Sequence, residues 1–552
     1  MVSAASNDTG QTHSVDAIIV GAGFAGLYML HRLREQGLSA IVFEQGSDVG
    51  GTWYWNRYPG ARCDAESLAY SYSFSERLEQ EWEWSERYAT QPEILSYAQH
   101  VADQFDLRRD IRFDTRVASA VFDEPTSRWC VRTAEGDDVF WSRFCIMATG
   151  CLSVPQRPDI AGLDDFKGEL YQASLWPHEG VDFSGKRVGL IGTGSSAIQA
   201  IPVIAGEAKQ LTVFQRTPNF SVPAVNGQLD PEWVAEFKAN YRDHRRNHKM
   251  GLGQGFGDLE VTPSEQGPVA ESAQQLGPGE LESVLEQYWQ TGGARFMGAV
   301  GDALISKEVN DAFAEFVRGK IRQTVKDPEV AEVLCPQDHP IGTKRICVDT
   351  DYYATYNRSN VRLCDVRSMP IERVTATGVQ TADELHELDV LVLATGFDAM
   401  TGALLNMDIR GTNNRTLQEA WQAGPVTYLG MCVSGFPNLF TITGPGSPSV
   451  LSNMLVSIEQ HVDWISDLIA HMQAAQSLRV EAEADAQQGW VMHVNEVADA
   501  TLFPQGGSWY LGANVAGKPR VFMPYAGGVG AYREVCEEVT AAGYRGFSFI
   551  QG

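Results

Sequence analysis

Two glycine-rich turns are the residues of this chain best suited to chemistry. The first, Gly21-Ala22-Gly23-Phe24-Ala25-Gly26, follows an apolar run at 17–20 and opens an amphipathic stretch to Gln36. A second apolar run at 40–43 then ends in Glu44. In such a G-x-G-x-x-G pattern the first glycine permits a tight turn, the second lets the backbone approach a pyrophosphate, and the third lets helix and strand pack closely. The helix N-terminus adds free N–H groups and partial positive charge. Glu44 stands where a carboxylate accepts the ribose hydroxyls of an adenine nucleotide. The second turn, Gly192-Thr193-Gly194-Ser195-Ser196-Ala197, lies between apolar runs at 187–191 and 211–214 and is followed not by an acid but by Gln215-Arg216-Thr217. A carboxylate there would repel a 2′-phosphate, whereas Arg216 can pair with one and Thr217 can donate to it, so NADP rather than NAD is expected. One FAD-like and one NADP-like fold in a single chain imply hydride passing from nicotinamide to flavin.

The elements that must position these turns follow from the pattern around them. The fold class is α/β, with two Rossmann-like dinucleotide-binding domains. An apolar strand ends in Ala148-Thr149-Gly150 and another, at 390–393, in Ala394-Thr395-Gly396. Small residues at such points let the backbone pass near a cofactor, which suits a chain crossing between two nucleotide domains. The expected division is an FAD-binding domain in two parts, 1–150 and 394–552, around an NADP-binding domain at 151–393. Further strands are expected at 111–117, 128–133 and 361–364, and a helix at 92–105. Residues 226–340 read as a helical insertion in the NADP domain, with helices at 232–248, 280–290 and 310–325, a glycine-rich break at 251–257 and solvated charged faces. A long amphipathic helix starts near Ser449 or Ser452 and runs towards His471, its N-terminus suited to face the electron-rich edge of a flavin.

Composition narrows the alternatives. At 552 residues the chain exceeds one hydrophobic core. A net charge of −27 argues against nucleic acid or an anionic membrane as partner. The nine cysteines are scattered with no C-x-x-C pair, which disfavours a metal site and a redox-active disulfide and suits a reducing cytosol. Residues 1–14 lack the features of a signal peptide, and no apolar run reaches the roughly 18 residues of a membrane span. A cytoplasmic enzyme without a protein partner is the expectation.

Longer signatures then identify a family. Gly50-Gly51-Thr52-Trp53, followed by Tyr58-Pro59-Gly60 and closed by Asp64, is one; the segment 166–177 is another. The chain resembles the flavin-dependent Baeyer-Villiger monooxygenases, and within them the phenylacetone and steroid monooxygenase group, over nearly its whole length after residue 15. The family fingerprint F-x-G-x-x-x-H-x-x-x-W-P is matched at Phe166, Gly168, Trp176 and Pro177, but Gln172 stands at the histidine position. Glutamine keeps hydrogen-bonding capacity and cannot become a cation. Because that histidine is thought to couple domain movement to cofactor binding, altered coupling rather than lost activity is implied.

The resemblance also implies roles. Gly342-Thr343-Lys344-Arg345 is similar to the segment whose arginine lies by the flavin and whose lysine helps hold the 2′-phosphate. The run at 508–520 resembles the loop whose tryptophan, here Trp509, closes over nicotinamide and substrate. Residues 446–454 resemble the substrate-side loop, with Ser449, Val450, Leu451 and Met454 at the pocket. The implied reaction uses FAD, NADPH and O2: a flavin C4a-peroxide, kept deprotonated beside Arg345, attacks a ketone to give an ester or lactone. Asp64 would position Arg345. No metal is required. The alternatives are a sister enzyme oxidising sulfur or nitrogen and an uncoupled or non-catalytic flavoprotein.

Overall fold

In the computed structural model, which describes residues 11–251 and 269–551, two sheets each carry one of the glycine turns. In the first, β1 (Thr12–Val20) pairs in parallel with β2 (Ala40–Phe43), which in turn pairs with β3 (Ile111–Arg112). Two antiparallel strands, β4 (Val117–Asp123) and β5 (Arg128–Thr133), lead to β6 (Val139–Met147), which closes on the other side of β1. The helix α1 (Phe24–Glu35) makes the crossover from β1 to β2. Side chains of β1 alternate between two cores: Ala17 and Ile19 pack with Leu27, Leu30 and Leu33, while Ile18 and Val20 pack with Phe140 and Leu439. A strand buried on both faces accounts for the unbroken apolar run.

The second sheet repeats the plan. It holds β7 (Glu169–Gln172), β8 (Arg187–Ile191), β9 (Gln210–Gln215), β10 (Val361–Asp365) and β11 (Val390–Leu393), all parallel, in the order β10-β9-β8-β11-β7. The helix α2 (Ser195–Glu207) joins β8 to β9. Thus β10-β9-β8-β11 has the layout of β3-β2-β1-β6, and in each sheet the fourth strand runs into Ala-Thr-Gly. That repetition explains the first glycine of each turn. A Cβ on Gly21 would lie 2.6 Å from the Ala148 carbonyl oxygen, and one on Gly192 would lie 2.4 Å from that of Ala394. Both residues also have positive φ, 105° and 122°, where L side chains are strained. The chain then returns to the first sheet, where the strand Leu439–Thr441 pairs with β6.

Three expectations need correction. The strand expected at 111–117 is split, because Asp114 takes a left-handed φ of 51° and the following chain turns away to form β4. Aspartate tolerates that conformation. The helix expected at 232–248 is two, α3 (Pro231–Ala239) and α4 (Tyr241–Met250), broken at Asn240 (φ −112°, ψ 17°). The long helix, α5 (Met454–Ala474), starts later than expected, where the Asn453 side chain accepts from the Leu455 N–H at 3.0 Å. Beyond Gly251 the glycine-rich break lies outside the described residues.

The helical insertion divides its packing. Val234, Phe237 and Tyr241 join the core of the first sheet, whereas Leu285, Phe313, Val317 and Ile321 join that of the second. Its charges are not all solvated either. Arg245 on α4 pairs with Glu79 at 2.8 Å, each side chain 7% exposed, and also donates to Ser71 Oγ and to the Ala69 and Tyr72 carbonyls. A buried pair is tolerable only when its hydrogen bonds are completed in this way. Among the described residues no helix is long and apolar enough to cross a membrane.

Gly26 and Gly319 make a direct contrast. A Cβ on Gly26 would stand 1.8 Å from the Gly21 carbonyl oxygen, while one on Gly319, inside the helix Lys307–Thr324, would meet nothing within 4 Å. Gly26→Ala is therefore expected to purify without flavin or not to fold. Gly319→Ala should raise stability by about 0.5–1 kcal/mol, read as a higher thermal midpoint at full flavin content.

Candidate active site

Both glycine turns end in helix N-termini that no side chain caps. Gly23 and Gly194 occupy the cap positions of α1 and α2, so the first-turn N–H groups are left for an anion. A Cβ on Gly194 would meet nothing within 4 Å, which leaves the approach open. At the first turn, Gly51 packs so closely that a Cβ on it would lie 2.9 Å from Gly23 Cα. The Gly50-Gly51-Thr52-Trp53 signature is thus a second wall of the same cradle, with Trp53 Nε1 donating to the Tyr70 hydroxyl at 3.1 Å. Phe24 and Ala25 are buried in the first turn of α1, beneath the cradle. Glu44 is 5% exposed and its two oxygens accept from the Ala22 and Gly46 N–H groups, each at 2.7 Å. Burial pushes its pKa up, against the pull of those bonds. Each carboxylate oxygen keeps further acceptor capacity, which fits ribose hydroxyls.

Arg216 is exposed at the end of β9 and Thr217 follows it, its carbonyl accepting from Thr193 Oγ1 at 2.7 Å. Lys344 comes to the same place from far along the chain. Burial holds its pKa down, Asp338 works the other way, and the charge of Arg216 lowers it further. Two cations held within each other's field suit a dianion such as a 2′-phosphate.

Between the two cradles lies Arg345. Its Nε and Nη2 donate to the two oxygens of Asp64 at 2.5 and 2.8 Å, and Nη1 donates to the Val450 carbonyl at 2.6 Å. Both side chains sit deep in the protein, yet each keeps 24% of its surface exposed, so the pair remains reachable from outside. Burial alone would raise the Asp64 carboxyl; the charge and hydrogen bonds of Arg345 outweigh it and hold it below the usual carboxylate range. Arg345 is in turn held above its ordinary value by Asp64 against the cost of burial. The thiols nearby are neutral, with burial pushing Cys347 up to about 12 and Cys151 up to about 11. All nine cysteines are unpaired.

The neighbouring segments converge on this pair. A Cβ on Gly506 would lie 2.7 Å from Thr343, which seats the start of the 508–520 loop on Gly342-Thr343-Lys344-Arg345. Val450, Leu451, Met454 and Trp509 share one apolar cluster with Leu304, Tyr510 and Met523. Ser449 beside them is fully buried, its hydroxyl donating to the Thr443 carbonyl at 3.2 Å. Tyr510, adjacent to Trp509 and buried, lies in the field of Arg345 and was not legible from the sequence. Tyr58 of the first signature donates to Gln199 on α2 at 2.8 Å, and a Cβ on Gly60 would lie 2.5 Å from the Gln199 carbonyl oxygen. Ser195 and Ser196, in the first turn of that helix, contact Cys347 and Tyr58. The fingerprint forms the edge of the second sheet. Phe166 and Trp176 are buried, Gly168 would place a Cβ 2.4 Å from the Asp389 carbonyl oxygen, Gln172 ends β7 opposite Leu393, and Pro177 ends the segment.

Asp64 folds with a pKa below its unfolded value, so its ion pair stabilises the protein fully above the unfolded value, about 3.9, and loses that effect as pH falls through the folded one. Asp64→Asn should therefore lower the thermal midpoint by a constant amount between pH 5 and pH 8, with the gap from wild type shrinking below about pH 4.

Known proteins share this architecture. A family described as pyridine nucleotide-disulphide oxidoreductase matches residues 18–252. The acetone monooxygenase (methyl acetate-forming) of Gordonia sp. (strain TY-5) is 42% identical over 540 residues, 97% of this chain and 99% of that protein. A Baeyer-Villiger monooxygenase of Pseudooceanicola batsensis is 45% identical over 96% of this chain and 95% of its own length. The solved structure of an oxidised steroid monooxygenase bound to NADP superposes with a TM-score of 0.92 at 52% identity, covering 98% of this chain and 100% of that one.

Proposed function

The chain belongs to the Baeyer-Villiger monooxygenases, which use FAD, NADPH and dioxygen to oxidise ketones to esters or lactones, and we propose that Arg345 is the residue on which that chemistry turns here. Bound FAD supplies the redox chemistry, taking hydride from NADPH and passing electrons to dioxygen. The chain's own residues hold, orient and charge the site. The observation that carries the reading is the forked Arg345–Asp64 pair, deep in the protein yet with 24% of each side chain still exposed.

A guanidinium stays charged at any working pH, so it lowers the pKa of an oxygen acid placed beside it and stabilises the negative oxygen that develops on a ketone carbonyl. Asp64 engages two of its N–H groups, the Val450 carbonyl a third, and the buried Tyr510 hydroxyl also bonds to the guanidinium, so the cation is held in a fixed orientation. The bond to Val450 ties the cation to the wall formed with Leu451, Met454 and Trp509. That apolar wall favours a ketone with an apolar flank, in keeping with the aryl and steroid ketone group, and its closure excludes water. Arg216 and Lys344 hold the 2′-phosphate, with Thr217 beside them.

We assign residues 1–150 and 394–552 to the FAD-binding domain and 151–393 to the NADP-binding domain, supported by the return of strand Leu439–Thr441 to β6. Gln172 modifies the coupling between them without abolishing turnover. Unpaired cysteines throughout suit a cytoplasmic enzyme.

Arg345→Ala should still oxidise NADPH and reduce the flavin, yet yield no ester from a ketone panel analysed by mass spectrometry; normal ester yield would remove the assignment. Arg216→Ala should narrow the preference for NADPH over NADH about tenfold, measured as the ratio of kcat/KM values, through loss of one charged phosphate contact.

A further inference from the structure

Two side chains tie the 508–520 loop to the linkers between the sheets. Lys518 Nζ donates to Asp398 Oδ1 and to the Ala399 carbonyl, each at 2.6 Å. The second anchor is Asn514, whose side chain donates to the Phe397 carbonyl at 2.7 Å and to Gln156 Oε1 at 3.3 Å. Gln156 Nε2 donates back to the Asn514 carbonyl at 2.8 Å. The two residues, separated by most of the chain, thus exchange bonds in both directions.

Gln156 has no polar group left over. Its N–H donates to the Gly396 carbonyl at 2.9 Å. Its carbonyl accepts from Thr395 Oγ1 at 2.5 Å and from the fingerprint residue, Gln172 Nε2, at 3.4 Å. On either side the two linkers pair, through Pro155 with Phe397 and through Asp398 N–H to the Val154 carbonyl at 2.9 Å. One side chain and its backbone therefore join four things: the outgoing linker, the returning linker with its Ala394-Thr395-Gly396 turn, the fingerprint strand and the loop that carries Trp509.

We propose that Gln156 is a positioning residue of the reaction, the junction through which closure of the 508–520 loop is set by the arrangement of the two linkers and of position 172. The inference rests on the reading of that loop as the cover over nicotinamide and substrate. Its consequence is specific. The Gln156–Asn514 exchange stabilises the closed loop, so losing it lets NADP+ leave sooner and lets the activated oxygen escape as hydrogen peroxide. Hydride delivery, which depends on the cradles, is left intact. Because the exchange needs both a donor and an acceptor on residue 156, Gln156→Glu, which keeps the length and loses the donor, should behave like Gln156→Ala, while Lys518 still tethers the loop.

The test is a double-mutant cycle on the purified flavin-loaded enzyme with Gln156→Ala, Asn514→Ala and the pair, read as the NADP+ dissociation constant and as the fraction of NADPH electrons recovered as hydrogen peroxide in the presence of ketone. Each single variant is expected to weaken NADP+ about three- to tenfold and to raise the peroxide fraction, with the double variant no worse than either single. Anaerobic flavin reduction by NADPH should stay within twofold of wild type. Additive effects, or unchanged NADP+ affinity in both single variants, overturn the proposal. If Gln156→Ala fails to retain flavin, the same cycle built on Gln156→Glu decides it. NADP+ affinity is read without product, so failure of the junction is distinct from failure of ester formation, which wild-type product analysis reports.

Discussion

A forked ion pair between Arg345 and Asp64 is the constraint that the rest of the structure serves. A guanidinium deep in a protein is expensive unless its charge is matched and its N–H groups are directed. Asp64 matches the charge, and the Val450 carbonyl takes a further N–H. The partners come from three remote segments: Asp64 follows the Gly-Gly-Thr-Trp signature, Arg345 follows the helical insertion, and Val450 precedes α5. Bringing them together requires both sheets, both linkers and the long insertion to be in place. The partial exposure of the pair keeps it useful as well as stable, since a fully sealed ion pair would have no access to substrate.

The two sheets achieve that convergence by repeating one solution to a packing problem. In each, a strand passes so close to the opening of the nucleotide turn that its alanine carbonyl occupies the space a side chain would need, at Gly21 in one case and Gly192 in the other. The alanine and the glycine thus belong to a single contact. The same strands lead directly into the linkers, so the geometry of each cradle is carried into the crossings. Gln156 lies where those crossings meet, which is why a neutral residue distant from the ion pair in sequence bears on the loop that covers it.

Much of this was legible in the chain, and the boundary is physical. Short-range patterns told the truth: β8 and β11 fall where apolar runs placed them, and the glycine turns sit between strands as their spacing required. Arg216 at a strand end, where an acid was due, pointed to the second nucleotide. Local exceptions were not legible, because Asp114 and Asn240 break their elements through single backbone conformations that leave no trace in hydropathy. The division of the insertion between two cores could not be read either, since both halves show the same helical spacing. Gln156 and Asn514 carry no motif and no charge. Their meaning comes only from tertiary proximity.

The claim that a permanent cation at position 345 controls ester formation is tested most directly with Arg345→Lys, measuring ester formed per NADPH consumed between pH 6 and pH 10. Lysine can lose its proton when buried, and arginine cannot. The account predicts a yield that falls in the lysine variant as pH rises through its ammonium pKa, with no matching fall in wild type. The same alkaline fall in both proteins, or a lysine variant that makes ester at full yield throughout, would contradict it.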